Sequence, residues 1–255
     1  MTIQQAPRAG ARPTRTLAAA AALAALAVLS GCRAGPALPP SSGDGAPGLN
    51  ASGQQRSFSP EELVETAAQT RTALKLGGTV LDHAQLAAQG EAAVPALFAQ
   101  PGPAECAAVT APSTATGLDA AAAALILAPS DSRARNTAVG LKSHADPGAA
   151  AAEAKALAEG AAACARYDAA LGGQRVPVVA AAADPGTSAD GVMVTATASV
   201  PDPSGGSTPQ QRGVVHAVAV KGTVTVEVLL VDARPDDAAA AVRAYVDMAF
   251  ARLPL

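Results

Sequence analysis

The chain has 255 residues, 49% of them hydrophobic and 15% charged, which suits one large or two small globular domains with an alanine bias. Its 18 basic and 21 acidic residues leave a net charge of −3, and its only aromatics are Phe58, Phe98, Tyr167, Tyr245 and Phe250. Nucleic-acid binding needs a basic face and aromatic platforms for bases, so that class is excluded; carbohydrate and cation–π recognition are weakened on the same ground.

Residues 1–16 hold Arg8, Arg12 and Arg15 and no acid, and Leu17 to Leu29 is an apolar run of alanine, leucine and valine that ends in Ser30, Gly31 and Cys32. This is the order of a secretory signal. The run falls short of the roughly 20 residues a bilayer-spanning helix needs. Leu29-Ser30-Gly31-Cys32 resembles the lipobox of bacterial lipoproteins. The resemblance implies that residues 1–31 are a signal peptide, that diacylglycerol is attached to the Cys32 sulfur, and that the mature chain is held on the extracytoplasmic side of the cell membrane. Two acyl chains suffice for stable anchoring. An ordinary secretory signal with an incidental cysteine is the alternative. Removal of residues 1–31 leaves 15 basic against 21 acidic residues, a net charge of −6.

Residues 32–58 then read as the lipidated cysteine and a flexible tether. They are rich in Gly, Pro, Ser and Ala and have too little apolar surface to offset the entropy of ordering. Asn50-Ala51-Ser52 fits the N-glycosylation pattern, a coincidence beside a bacterial lipobox. Residues 59–255 are expected to form a single extracytoplasmic domain.

Ser59-Pro60-Glu61-Glu62 has the form of a capping box and predicts a helix from Pro60 to about Lys75, stopped at Gly77-Gly78. A short strand or helix is expected near 80–88 and a helical turn near 95–99. Ala121 to Ala128 reads as a buried strand. Asp146-Pro147 is expected to open the longest helix, running to about Leu171 and ending at Gly172-Gly173, with Leu157, Ala161, Cys164 and Leu171 inward and Lys155, Glu159 and Arg166 outward. Four valine-rich segments follow, 176–182, 192–200, 214–220 and 223–232, and predict sequential antiparallel strands. In the last, Val224, Val226, Val228 and Leu230 alternate with mostly polar residues, which predicts one buried and one solvated face. Pro235-Asp236-Asp237 opens a final helix to about Arg252 with Val242, Tyr245, Val246, Ala249 and Leu253 inward. The fold class expected is α+β, an antiparallel sheet of about five strands with helices packed on one face.

With Cys32 assigned, Cys106 and Cys164 are expected to pair as a disulfide, because an exported chain meets an oxidising compartment. Two buried thiols are the alternative. No C-x-x-C spacing or nearby histidine supports a metal site.

No nucleophile elbow, S-x-x-K, H-E-x-x-H, P-loop, dinucleotide-binding or EF-hand motif occurs, so neither catalysis nor a cofactor is expected. Asp82-His83 is half an acid–base pair at most, and His144 beside Asp146-Pro147 reads as part of a helix-capping loop. His216 and Glu227 are the candidate ligand-binding pair. A two-residue turn at Lys221-Gly222 would set Val220 opposite Thr223 and His216 opposite Glu227 on the non-core face. An ordinary polar pair on a solvated face is the plainer reading, since Lys-Gly is not a favoured hairpin turn and a bulge would break the register.

The lipobox, the tether, the long helix bearing Cys164 and the valine-rich strands before a terminal helix resemble actinobacterial lipoproteins. The layout from Pro60 to Leu255 also resembles the extracytoplasmic sensor domains of mycobacterial serine/threonine kinases. That resemblance implies an exported α+β domain with a ligand cleft and no catalysis of its own. The chain departs from those domains in having cysteines for one disulfide rather than two and no attached kinase. The function expected is a membrane-anchored, non-enzymatic binding or sensor-like lipoprotein whose partner is a small molecule or an envelope protein. A carrier of lipids or other apolar molecules is the alternative, and it demands a large apolar cavity.

Overall fold

The computed structural model describes residues 56–93, 102–129, 134, 136–171, 174–200, 210–233 and 235–253. The lipobox with Cys32, the tether up to residue 55, the turn expected near 95–99 and the Gly172-Gly173 stop lie outside the described residues.

In chain order the elements are α1 (Pro60–Ala73), β1 (Thr79–Leu81), α2 (His83–Gln89), the single turn α3 (Ala107–Thr110), β2 (Ala121–Pro129), β3 (Asn136–His144), α4 (Pro147–Ala163), β4 (Arg166–Leu171), β5 (Gln174–Ala183), β6 (Asp190–Val200), β7 (Gln210–Lys221), β8 (Val224–Ala233) and α5 (Pro235–Arg252). The eight strands form one antiparallel sheet in the order β1-β2-β3-β8-β7-β6-β5-β4. The β2–β3 hairpin therefore docks against β8, the last strand of the meander, and buries β8 at the centre of the sheet.

Local chemistry explains the helix starts. The Ser59 side chain accepts from the Glu62 N–H while Glu62 Oε2 accepts from the Ser59 N–H, the reciprocal pair of a capping box. Asp146 Oδ1 accepts from the Ala149 N–H at 3.0 Å, and Pro147 occupies the first turn of α4, where its missing donor costs nothing.

Three expectations need correction. The sheet has eight strands rather than about five: β3 and β4 carry no strand signal, and the segment near 80–88, left open between strand and helix, supplies both β1 and α2. β3 carries Lys142, Ser143 and His144 at its end and lacks a conspicuous apolar run, and β4 continues the alanine-rich periodicity of α4. The helix expected to reach Leu171 ends at Ala163, with Cys164 as its C-cap, and residues 166–171 turn back as β4.

The helices also cover both faces of the sheet rather than one. On one face Ile126, Val139, Leu141, Val215, Ala217, Val226, Val228 and Leu230 pack under α1 and α5, around Leu63, Val242, Tyr245 and Val246. Residues of the opposite strand parity form two separate apolar clusters under α2, α3 and α4. In one, Val109, Leu157, Ala161, Val178, Val194 and Val218 surround the Cys106–Cys164 disulfide; in the other, Leu86 packs on Leu125, Leu127, Leu229 and Val231. The face of β8 expected to be solvated is thus buried. Thr225 and Glu227 are 1% and 4% exposed.

The disulfide is present between Cys106 and Cys164 with Cα atoms 5.7 Å apart, within the range that such a bond bridges, and it ties the segment before α3 to the C-cap of α4. Packing begins ahead of α1. Phe58 is buried in the α1/α5 core and its N–H donates to Ser143 Oγ, while Ser57 Oγ donates to the His144 carbonyl.

Candidate functional site

The residues that separate the two clusters on the α4 side are polar. β3 contributes Lys142 and His144, β7 His216, and β8 Thr225 and Glu227, all buried. The period-two alternation of the strands puts these five side chains on one face. From α4 comes Glu153, four residues before Leu157 and so on the inward stripe of the helix. From the loop after α3 come Ser113 and Thr114.

Glu227 is the centre of the inner half. His216 Nε2 donates to its Oε1 at 2.7 Å, the Ser113 and Thr114 N–H groups donate at 2.7 and 2.8 Å, and the Thr114 hydroxyl donates to Oε2. Burial pushes this carboxyl up, but the hydrogen bond and charge of His216, the Thr114 hydroxyl and the Ser113 N–H outweigh it and hold the group at about 2. It is an ionised carboxylate with its oxygens engaged. Gly140 on β3 makes the approach of Thr114 feasible, since a Cβ there would overlap the Thr114 hydroxyl.

The outer half is centred on Glu153. Lys142 Nζ pairs with Glu153 Oε1 and also donates to the Ser113 carbonyl at 3.2 Å, which links the two halves. The Thr225 hydroxyl donates to Glu153 Oε2 at 2.9 Å, and His144 Nε2 lies 3.3 Å from Thr225 Oγ1 and 3.4 Å from Glu153 Oε2. A hydroxyl has one proton, and Thr225 gives its proton to Glu153. His144 Nε2 is therefore the donor in its contact with Thr225. Burial raises the Glu153 carboxyl, but the His144 hydrogen bond and the Lys142 charge bring it below its ordinary value.

The outer half reaches the surface. An open cleft of about 350 Å³ lies where β2 begins and β3 ends, lined by Phe58, Pro60, His83, Leu118, Asp119 and His144 among others. One wall, Leu118 to Ala122, is the continuation of the Ser113–Thr114 segment that Glu227 grips. Another is the end of β3 at Ser143 and His144, where the His144 side chain is buried against Glu153 and Thr225.

His216 and Glu227 do meet, though not through the expected register or on a solvated face. The hairpin loop is Gly222-Thr223, with Lys221 opposite Val224, so His216 lies opposite Leu229 and Val218 opposite Glu227. Gly222 has φ +64°, the backbone a II′ hairpin uses at its first loop position. A two-residue shift in pairing keeps side-chain parity, so the two residues stay on one face as diagonal neighbours and still touch. His216 Nδ1 is buried without a partner among the described residues.

Asp82 and His83 join neither half. Asp82 caps α2 in a second capping box with Gln85, and His83 opens that helix at the rim of the cleft. His144 closes β3 and is buried, while Asp146 alone does the capping. Lys142, Glu153, Ser113 and Thr114 were not anticipated. One signal was available for Glu153, which repeats at helical spacing with Leu157, Ala161 and Cys164. No group of three or more His, Cys, Asp or Glu among the described residues has metal-binding geometry.

No protein-family model and no curated protein matches the chain. Among solved structures it is similar to the extracellular domain of PknH from Mycobacterium tuberculosis, with 11% sequence identity and a TM-score of 0.47 over 75% of this chain and 96% of that one.

Proposed function

We propose that the chain is a lipid-anchored, extracytoplasmic domain of binding or sensor-like type, without catalysis of its own, acting through the cleft bordered by His83 and His144. The observation that carries this reading is the saturation of Glu227, whose two oxygens take four hydrogen bonds in a buried site. A carboxylate so engaged is unsuited to take a proton from substrate, but it holds the cleft wall in place. The lipobox ending at Cys32 supports the anchor, and the Cys106–Cys164 disulfide suits an oxidising compartment. In this reading His216 and Glu227 lie behind the ligand and position the wall it touches.

The carrier alternative needs a closed, apolar cavity large enough for acyl chains. The described cleft is open and mixes Ser57, His83, Asp119 and His144 with Phe58 and Leu118. Mass spectrometry of the protein purified from its native membrane, together with its lipid extract, tests both readings. The expected chain begins at Cys32 and bears a diacylglyceryl group. An unmodified chain that starts upstream of Cys32 would overturn the anchor, and a stoichiometric apolar molecule in the extract would favour the carrier.

A further inference from the structure

We propose that β4 is a self-association edge, pairing antiparallel with β4 of a second copy of this chain about a twofold axis at Tyr167. The sheet has two ends among the described strands, and they differ. β1 has three residues and runs at once into α2, with the Arg71 side chain donating to the Gly78 carbonyl just before it. β4 has six residues and no described strand beyond it.

The register tells which backbone groups are free. The Ala180 N–H donates to the Ala165 carbonyl at 3.0 Å, so Ala165, and with it Tyr167 and Ala169, occupy the hydrogen-bonded positions opposite β5. The N–H and C=O groups of Arg166, Asp168 and Ala170 therefore point away from β5, toward the open edge. The side chains of these residues share the face that α4 leaves uncovered, since Val176, Val178 and Ala180 of β5, opposite Ala169, Tyr167 and Ala165, pack on the α4 side.

Arg166 and Asp168 are both exposed and lie opposite Val179 and Pro177, which cannot neutralise them. Neither side chain has an ion pair or hydrogen bond with a described residue. A twofold axis at Tyr167 sets Arg166 against Asp168 of the second copy and Asp168 against its Arg166. Each is a hydrogen-bonded pair that exchanges both backbone bonds. An axis at Asp168 would instead oppose two carboxylates, so charge selects the register. Edges of a single sign repel their own copies, whereas this alternation attracts one.

Two differently tagged full-length copies, co-expressed and extracted in mild detergent, provide the test. Wild-type copies are expected to co-purify. Arg166→Asp in both copies, or Asp168→Arg in both, places like charges in both pairs and should lower recovery about tenfold. One copy with Arg166→Asp and the other with Asp168→Arg should pair again, as should two copies that carry both changes. Both positions are solvent-facing, and circular dichroism and melting check that each variant is folded. Absence of wild-type association, single variants that recover like wild type, or mixed copies that fail to recover would each overturn the proposal.

Discussion

The two faces of one strand, β8, divide the molecule into two kinds of interior. Toward α1 and α5 it presents Val224, Val226, Val228 and Leu230 to a continuous apolar core; toward α4 it presents Thr225 and Glu227 before returning to Leu229 and Val231. The apolar side is held by area removed from water, a non-directional force that tolerates repacking when volume is conserved. The polar side is directional. Ionised Glu227 is stable in the interior only while His216, Ser113 and Thr114 all aim donors at it, so the loop after α3 and strands β7 and β8 have one satisfactory arrangement. That difference places precision, rather than bulk stability, on the α4 side.

The sharpest way to break the contrast is to remove the central carboxylate. Glu227→Ala leaves His216 and two backbone donors without their acceptor and is expected to cost about 3–5 kcal/mol, against about 2 kcal/mol for Val228→Ala on the apolar face. Urea denaturation of both variants measures this, and equal costs would erase the distinction. Acid probes the same groups. Glu227 at about 2 and Glu153 below its ordinary value bind fewer protons folded than unfolded. The stability they supply is complete above about 4.5 and is lost as pH falls toward about 2. Urea midpoints measured between those limits should show this fall in wild type and a flatter limb in the Glu227 variant.

Replacement of both Cys106 and Cys164 by alanine is expected to cost about 4 kcal/mol, from a loop with a sequence separation of 58. The loss should loosen the α4 side first. Hydrogen exchange would then rise in α3 and α4 before α1 and α5, and a uniform rise would count against two interiors of different character. A smaller effect is expected at Gly140, where alanine must displace Thr114 from Glu227 and cost about 1–3 kcal/mol. Combined with Thr114→Ala the two changes should add to less than their sum, because both break the same contact. The mildest probe is Thr225→Val, which removes the hydroxyl between His144 and Glu153 and should cost about 1 kcal/mol while leaving the apolar core unaltered.

Much of this arrangement was legible where a local signal exists. The capping box at Ser59, the proline at the start of α4, the meander from β5 to β8 and the inward face of α5 all follow from residues within one turn or one strand of each other. β3 was not legible. Its nine residues are buried, yet Asn136, Thr137, Lys142, Ser143 and His144 give it the composition of a loop. Their partners are remote, with Glu153 on the following helix, and Thr223 in the β7–β8 loop and Thr225 on β8 some eighty residues on. For His216 and Glu227 the parity was readable and the register was not, since the turn depended on which loop position took the positive φ of Gly222.

Sequence alone determined which residues share a face and where most helices begin, and it offered Cys106 and Cys164 as a pair. Only the tertiary structure decided that the second face of the sheet is an interior. Alternation along a strand records which side chains point the same way, but whether that side meets water depends on what packs against it. Here α4 and the Ser113–Thr114 segment cover it, and their contacts with β3, β7 and β8 are made between residues far apart in the chain. Burial by those elements turns Glu227 and His216, an ordinary surface pair by composition, into the hydrogen-bonded centre of a polar interior.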